Sequence, residues 1–511
     1  MAPSTSRTGD GMQFPQHLLF ACALGAASAA NAAELGVLSP VIINQEAQMQ
    51  ARPTGPGSAP VLARVSSGAL FDAIQKEATS GFTASAIALD ALASEVAGVK
   101  NSGITWLMLS QEDGGFPRWG FWLQEGEQRR YIDEPMVDLV VDADSVADGS
   151  FEEIFAHELG HVMLRRLLPL PEGYSRTPHH SYSMTDQPTA LDEGFATHFQ
   201  ALARQHTKNA QLRAQDMGVG ARTYVALWQS NLDRAYRIDG VRQNWFVHRQ
   251  VTLPGDGGAA DAIERRELST LFDREHLKSA PQMLASEGVV ATFFYRWLGA
   301  GEGTAAALRS RYLPLFNGLK AMRASALTPE TPLLPALAAV LARTEPEAGR
   351  HFAQVLVESS YGALTSPALA AQSEAVAQIG RTGNSKTFVP ALKAARRALA
   401  AEVAEVQAHP EKLAVQAGPA LWVKHPTRTL AAWGEPVPLV VDLNTAELEH
   451  LSALPGIDAA TAKKALASRQ RDGNFTSLAD FAARAGLNPA QLKTLKSMAA
   501  DARAAGTYAR S

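Results

Sequence analysis

The chain has 511 residues, with 47 Lys+Arg against 51 Asp+Glu, and its formal net charge is −4. A charge this close to neutral provides no global field for attracting nucleic acid or an anionic membrane, so such binding must be local. The single cysteine, Cys22, lies in a segment that we expect to be removed on export. Disulfide frameworks, thiolate zinc sites and cysteine nucleophiles are therefore excluded, and any metal must be held by His and carboxylate.

The composition, 46% hydrophobic and 19% charged, is that of an ordinary globular protein. Single cores stop growing at roughly 250 to 300 residues, so the length predicts two to four domains.

Residues 1–32 have the pattern of a secretory signal peptide. An apolar, Ala-rich run at 18–30 leads into the small-residue cleavage pattern at 30–32, just before Ala33. The alternative is a lipoprotein with Cys22 as the lipidated residue, but the apolar run continues past that cysteine. No other stretch reaches the roughly 18 apolar residues of a membrane helix. We therefore expect an exported protein, periplasmic or secreted, without stable membrane insertion.

After the signal peptide, changes in Pro/Gly content and hydrophobic periodicity divide the sequence into segments. A Pro/Gly-spaced leader and a helical region with apolar periodicity at Ala69–Val99 occupy residues 33–99. Residues 100–325 follow, first as short strands and then as helices. The strands are predicted at Ile104–Leu109, Trp119–Leu123 and Met136–Val141. Strands followed by a long helix indicate a mixed α+β catalytic domain.

The last two segments are predicted to be mostly helical. Residues 326–437 form a helical region that ends in a turn-rich linker from Pro410 onward. Residues 438–511 form a small all-α domain.

The catalytic signal is His157-Glu158-Leu159-Gly160-His161. Ser150 followed by Glu153 predicts a capping box, so the helix should begin near Phe151 and run until Pro169 stops it. Residues four apart lie on one helical face, so both imidazoles can reach one cation. Glu158 can then accept the proton of a water activated by that cation, for which zinc is the default.

A second segment, Leu191-Asp192-Glu193-Gly194-Phe195-Ala196, opens another helical stretch. This pair of segments resembles the two ligand helices of the gluzincin metallopeptidases. The Glu-Gly-Phe-Ala motif resembles the aminopeptidase N branch in particular. The resemblance implies a zincin-like fold, one Zn²⁺ per chain, Glu193 as third ligand beside His157 and His161, and Glu158 as the catalytic base.

The departures from that pattern limit what it implies. The connection between His161 and Glu193 has 31 residues, which is much longer than in the aminopeptidase N branch. The Gly-x-Met-Glu-Asn segment that reads a free amino terminus is absent, so aminopeptidase specificity is not implied. Thr197 replaces the thermolysin-type carboxylate four residues after the third ligand, so another group must orient a ligand histidine. Asp192 is a candidate for that role.

Residues near the two ligand helices supply further candidates. Tyr182, in the connection, is the favoured donor to the oxyanion of the tetrahedral intermediate. Tyr224, Tyr236 and Tyr295 are alternatives, whereas His179 and His180 are more typical of a solvated loop and His198 of helix packing. The strand aromatics Trp119, Phe121 and Trp122 are either core residues or part of a substrate cleft.

The C-terminal segment carries the second strong signal. The stretches at 442–446, 454–458 and 473–481 resemble the tandem helix-hairpin-helix module of competence-type (ComEA-like) DNA receptors. Such hairpins hold a phosphate at a glycine turn and the following helix N-terminus, without sequence preference. The resemblance implies a contact through Gly456, Gly486 and the basic residues Lys463 and Lys464.

The charges in that module weaken the implied DNA contact. DNA-binding hairpins usually read Gly-hydrophobic-Gly, but here Asp458 and Asn488 occupy the third position. Both are good helix N-caps, yet the Asp458 carboxylate repels phosphate at the anion site. From Asp442 to Ser511, nine Lys+Arg against seven Asp+Glu leave a charge of only +2. A docking or structural module is the alternative.

Two functions follow. The first is an exported zinc-dependent peptidase that acts on a peptide or protein substrate and carries a localising C-terminal module. The alternative is an exported DNA- or surface-binding protein with a catalytically silent zincin domain.

Overall fold

The computed structural model describes residues 33–99, 103–110, 114–171, 173, 181, 184–216, 237–250, 272–432 and 435–505. Strands dominate up to residue 139 and helices thereafter, as expected for a mixed strand and helix protein. The strands are β1 Glu34–Pro40, β2 Ile42–Ile43, β3 Glu46–Ala47, β4 Met49–Ala51, β5 Ser58–Arg64, β6 Ile104–Leu109, β7 Gly115–Glu125, β8 Gln128–Leu139, β9 His248–Gln250, β10 Phe272–Leu277, β11 Trp422–Ala432 and β12 Glu435–Asp442.

Helices make up most of the rest of the described chain, and residues 237–243 are also helical. The helices are α1 Ala69–Ala78, α2 Gly81–Ala97, α3 Ala143–Asp148, α4 Ser150–Leu167, α5 Gln187–His206, α6 Ala210–Asp216, α7 Ala280–Leu284, α8 Glu287–Leu298, α9 Ala305–Met322, α10 Leu333–Thr344, α11 Pro346–Ser359, α12 Pro367–Arg381, α13 Ser385–Ala408, α14 Glu411–Ala417, α15 Leu448–Ser452, α16 Ala459–Asp472, α17 Leu478–Ala485 and α18 Pro489–Ala505.

Five strands close into a small barrel in the order β1-β6-β8-β7-β5, because β5 pairs back onto β1. The β7–β8 and β5–β1 pairs are antiparallel, and the other three are parallel. Side chains alternate between the two faces of each strand. The interior is filled by one set: Leu38, Leu62, Trp106, Met108, Phe121, Leu123, Ile132 and Met136. The outward set, including Leu107, Val137 and Leu139, joins the main helical core.

The barrel changes the expected boundary at residue 100. Residues 33–99 were predicted to be a leader and helical region separate from the domain that begins at residue 100, but β1 and β5 complete the barrel with β6, β7 and β8. The Pro/Gly texture at 53–60 marks the turn between β4 and β5, which pair antiparallel. The boundary predicted from local composition missed this strand pairing, because the pairing joins residues that are far apart in sequence.

Helix α4 has the expected extent but begins differently from the prediction. Its N-cap is Gly149, and Ser150 is already its first helical residue. The capping box does not form, because the Ser150 hydroxyl donates to Asp148 Oδ1 at 2.6 Å. The helix ends at Leu167, with Leu168 extended at φ −141° and ψ 97°. A residue before proline is restricted to extended conformations, so Pro169 stops the helix as predicted.

Buried ion pairs tie α4 to its neighbours. Arg204 of α5 donates through Nε and Nη2 to the two carboxylate oxygens of Glu153, at 2.9 Å each. Arg166 lies 3.4 Å from Asp90 of α2 and 3.4 Å from Glu134 of β8. These contacts hold α4 between the barrel and the helical layer, and they fix which of its faces points towards α5.

The segment 410–437 was predicted to be a turn-rich linker, but its described residues are folded instead. Helix α14 and the β11–β12 hairpin occupy it, and Trp422 and Val423 are buried. Val423 and the β12 residues Leu439 and Val441 pack with the C-terminal helices in one core. The hairpin therefore belongs structurally to the C-terminal module.

Hydrogen bonds also join the start of that module to α7. Gln282 donates to the carbonyl of Thr445 at 3.1 Å and to the carboxylate of Glu447. Asp442, which is buried, accepts from the backbone N–H groups of Leu421 and Asn444, and burial raises its pKa to about 6. The module is thus packed onto the helical body.

Among the described residues, every helix is either too short or too polar to cross a lipid bilayer.

We predict that Arg204→Met lowers the free energy of unfolding by about 3–5 kcal/mol, because it leaves the Glu153 carboxylate buried without its cation. Denaturant unfolding followed by circular dichroism measures this change. The double variant Glu153→Met/Arg204→Met is the control and should recover much of the loss. A single variant as stable as the wild type would contradict the prediction.

Candidate metal centre

Helices α4 and α5 bring the three predicted ligand residues together. His157 and His161 lie one turn apart on α4, and Glu193 lies in the second turn of α5. Helix α5 begins at Gln187, four residues before the predicted start at Leu191, because Asp186 caps it by accepting from the Thr189 N–H at 2.8 Å. The site is recessed, since the side chains of His157, His161 and Glu193 are only 12%, 4% and 16% exposed.

The three candidate ligand atoms form a nearly equilateral triangle. The Nε2 atoms of His157 and His161 are 3.3 Å apart, and they lie 3.7 and 3.5 Å from Glu193 Oε2. Ligands bound tetrahedrally at 2.0–2.1 Å lie about 3.3 Å from one another. Two imidazoles and a carboxylate with this spacing fit one face of a tetrahedral ligand set, as open zinc sites require. Among the described residues, this is the one group of His, Cys, Asp and Glu with such spacing.

Two glycines allow the helices to approach closely enough. A Cβ on Gly160 of α4 would lie 2.9 Å from the Ala196 Cα of α5. A Cβ on Gly194, next to the ligand Glu193, would lie 2.8 Å from the carbonyl oxygen of Glu287 at the start of α8. A larger residue at position 160 would push α4 away from α5, and one at position 194 would push α5 away from α8.

Asp192 occupies the orienting position that the sequence suggested. His161 Nδ1 lies 2.7 Å from Asp192 Oδ1, so Nδ1–H donates to the carboxylate and Nε2 is left facing the other ligand atoms. Arg165 lies 3.4 Å from Asp192 Oδ2 and donates to the Pro117 carbonyl of β7 at 2.9 Å. The orienting carboxylate is thereby connected to the barrel.

The electrostatics of the cluster favour a cation. Burial alone lowers the pKa of His161, but the carboxylates of Asp192 and Glu193 raise it well above its ordinary value. Burial raises the pKa of Glu193, but His161 and His157 hold it well below its ordinary range. Positive charge between these groups is therefore stabilised, whether a proton or a metal ion carries it.

Glu158 lies on α4 against the first residue of β7. A Cβ on Gly115 would be 2.6 Å from Glu158 Oε1, so the strand leaves room for this carboxylate only because it begins with glycine. Glu158 is 6% exposed, and its Oε2 has no hydrogen-bond partner among the described residues. A buried acceptor without a protein donor is one that a bound water can satisfy.

Of the residues predicted as possible oxyanion donors, the structure describes Tyr295. Tyr182, Tyr224 and Tyr236 lie outside the described residues, as do His179 and His180. Tyr295 donates to the Gln205 side chain at 2.8 Å. Gln205 is twelve residues beyond Glu193 on α5, or about 18 Å along the helix, so Tyr295 is too far from the cluster to serve.

His198 packs as the sequence indicated. It is fully buried, its Nε2 lies 2.6 Å from the Tyr312 hydroxyl, and burial lowers its pKa to about 3. The residue is therefore a neutral packing histidine, distinct from the ligand set.

The aromatic residues of β7 separate into core and surface. Phe121 is fully buried inside the barrel, whereas Trp119 is 39% exposed and donates to Asp133 Oδ1 at 2.8 Å. Phe116, which the sequence did not single out, is 38% exposed one residue after Gly115. The carbonyls of Pro117 and Trp119 already accept from Arg165 and Arg52. Arg165 and Arg52 thus already occupy two backbone acceptors of β7.

In the C-terminal module, two glycine turns lie side by side. Gly456 and Gly486 have φ of 76° and 80°, a left-handed conformation that favours glycine. The Gln491 side chain donates to the Gly456 carbonyl at 2.7 Å, and the Lys464 ammonium lies against Gly486. Lys463, next to Lys464, is exposed. The two hairpins therefore present adjacent turns.

Asp458 caps the helix that follows the first turn. Its Oδ1 accepts from the Thr461 N–H at 2.8 Å, and this hydrogen bond lowers the pKa of Asp458. The carboxylate stays charged and occupies part of the anion position expected for a phosphate.

Residues 439–498 match a family model described as a helix-hairpin-helix motif. The C-terminal module therefore carries this motif, as the sequence resemblance implied. The match covers neither α4 nor α5. No curated protein and no solved structure matches the chain.

We predict that Asp192→Asn weakens Zn²⁺ binding roughly 10- to 100-fold, because the amide is a poorer acceptor for the His161 Nδ1–H. Competition with a chromophoric chelator measures the dissociation constant. Asp144→Asn, at an exposed position of α3, removes a charge elsewhere and should leave affinity unchanged. Equal affinities for the two variants would contradict the prediction.

Proposed function

We propose that this protein is an exported zinc-dependent peptidase that hydrolyses a peptide bond in a peptide or protein substrate. The observation that carries the proposal is the triangle of His157 Nε2, His161 Nε2 and Glu193 Oε2, with sides of 3.3 to 3.7 Å, beside the buried carboxylate of Glu158. The resemblance of both ligand segments to gluzincin metallopeptidases supports it.

The ligand residues would hold one Zn²⁺ ion per chain. When bound, the ion supplies a Lewis acid that lowers the pKa of water towards neutrality and polarises a carbonyl. Asp192 keeps His161 in the tautomer with Nε2 free. The space left by Gly115 and the recessed position of the site keep Glu158 out of bulk water. Away from water, its charge interacts more strongly with a reacting group.

Glu158 would carry the proton transfers. Its carboxylate removes a proton from the attacking water as the oxygen adds to the scissile carbonyl carbon. The same proton then passes to the leaving amine as the C–N bond breaks, so Glu158 ends in its starting state. Tyr182 is proposed as the donor to the oxyanion.

We predict that Glu158→Gln keeps one Zn²⁺ per chain but cleaves a peptide library at least about 100-fold more slowly, since general-base catalysis contributes 10²–10⁴-fold. Metal analysis and mass spectrometry of the products measure the two quantities. Glu347→Gln, an exposed position of α11, is the matched control and should cleave normally. Undiminished cleavage by Glu158→Gln, or a wild type without zinc, would refute the peptidase proposal.

A second candidate function, DNA contact by the C-terminal module, is favoured by the helix-hairpin-helix match. Helix-hairpin-helix motifs commonly contact nucleic acid. The adjacent turns at Gly456 and Gly486, with Lys463 and Lys464, would meet the phosphate backbone, and such contacts carry no sequence preference.

For this second function, we predict that Asp458→Asn tightens binding to duplex DNA, because it keeps the helix cap but removes the charge that repels phosphate. Lys463→Met/Lys464→Met should weaken binding and reduce the slope of log K against log salt by about 0.9 per lost contact. Fluorescence anisotropy across a salt series measures both, with Lys386→Met on α13 as the control. No binding by the wild type at low salt would exclude nucleic acid as a partner.

A further inference from the structure

The N-terminus of α8 is seated on the helix that carries the third ligand. Gly194 of α5 lies against the carbonyl of Glu287 and the side chain of Val290, so closely that a Cβ there would be 2.8 and 2.6 Å from them. Glu287 is the first residue of α8. Gly194, which it contacts, is the residue after the candidate ligand Glu193 in the sequence. Any movement of α8 therefore reaches the backbone of the third ligand.

The side chain of Glu287 makes a second link to α5. Its Oε1 accepts from the Thr197 hydroxyl at 3.3 Å and from the Ser181 hydroxyl at 2.9 Å. Thr197 lies four residues after Glu193, one turn further along the same face. All three side chains of this cluster are at most 2% exposed. Hydrogen bonds to a buried carboxylate are stronger than neutral ones, so this junction resists displacement.

Backbone pairing extends the junction to the residues that lead into α5. The Gly288 N–H donates to the Ser181 carbonyl at 3.1 Å, and the Thr185 N–H donates to the Ala285 carbonyl at 2.7 Å. Met184 and Ser286 form an antiparallel bridge. The start of α5 is thereby fixed to the start of α8, just before the turn with Asp192 and Glu193.

We propose that Glu287 is a positioning residue of the metal centre: by joining α8 to Thr197 and Ser181, it holds α5 in the register that places Glu193 opposite His157 and His161. The inference rests on the proposed zinc site. Glu287 belongs to a different helix from all three ligands, and it acts through α5 rather than by touching the metal or the substrate.

The test measures Zn²⁺ affinity by chelator competition, which does not depend on activity. Glu287→Leu removes the acceptor and should weaken binding roughly 10-fold, the lower end of the loss seen when a direct partner of a metal ligand is removed, because Glu287 acts on the ligand through α5. Glu287→Gln keeps an amide oxygen that accepts both hydroxyls and should remain within a few-fold of the wild type. Thr292→Val is the matched control, because its buried hydroxyl lies on the same helix and donates within α8, to the Gly288 carbonyl.

The outcomes separate the two proposals. Equal zinc affinity for Glu287→Leu and Thr292→Val overturns the positioning role while leaving the zinc site intact. Zinc binding without peptide cleavage by the wild type overturns the peptidase function alone. A wild type that binds no zinc overturns both. If Glu287→Leu does not fold, Thr197→Val and Ser181→Ala remove the two bonds singly; each should weaken binding several-fold, and unchanged affinity in both overturns the inference.

Discussion

The close approach of α4 and α5 is the constraint on which the candidate centre depends. At Gly160 the two backbones come so near that a single added carbon would lie 2.9 Å from the Ala196 Cα. Only at this separation can Glu193 reach both imidazoles. Gly194 imposes the same requirement on the opposite side of α5, towards α8. The ligand helix is therefore held between two neighbours, and the spacing of the ligand atoms follows from backbone contacts rather than from long, adaptable side chains.

Buried charges hold this arrangement in place. Glu153 with Arg204, and Arg166 with Asp90 and Glu134, connect α4 to α5, α2 and the barrel. Buried pairs add little net stability against apolar replacements, but breaking one is costly, so they penalise alternative packings of the same helices. In the candidate metal centre, Asp192 and Glu193 raise the pKa of His161 and stabilise an added positive charge there.

The sequence predicted the local features of the centre better than its surroundings. Helical spacing and Pro169 were enough to predict α4, and the segment at 191–196 located Glu193 and Asp192. Barrel closure through β1 and β5 could not be predicted, because strand pairing between distant residues leaves no local pattern. The capping box failed because Asp148 competes for Ser150. Glu287 went unnoticed because its contacts to Thr197 and Ser181 span 90 and 106 residues.

Anomalous diffraction at the zinc absorption edge, from crystals of the full chain grown with Zn²⁺, tests the central claim most directly. The account predicts one strong peak per chain, about 2.0–2.1 Å from His157 Nε2, His161 Nε2 and a carboxylate oxygen of Glu193. A map without a peak at that position, from crystals in which the three side chains are well ordered, would contradict it.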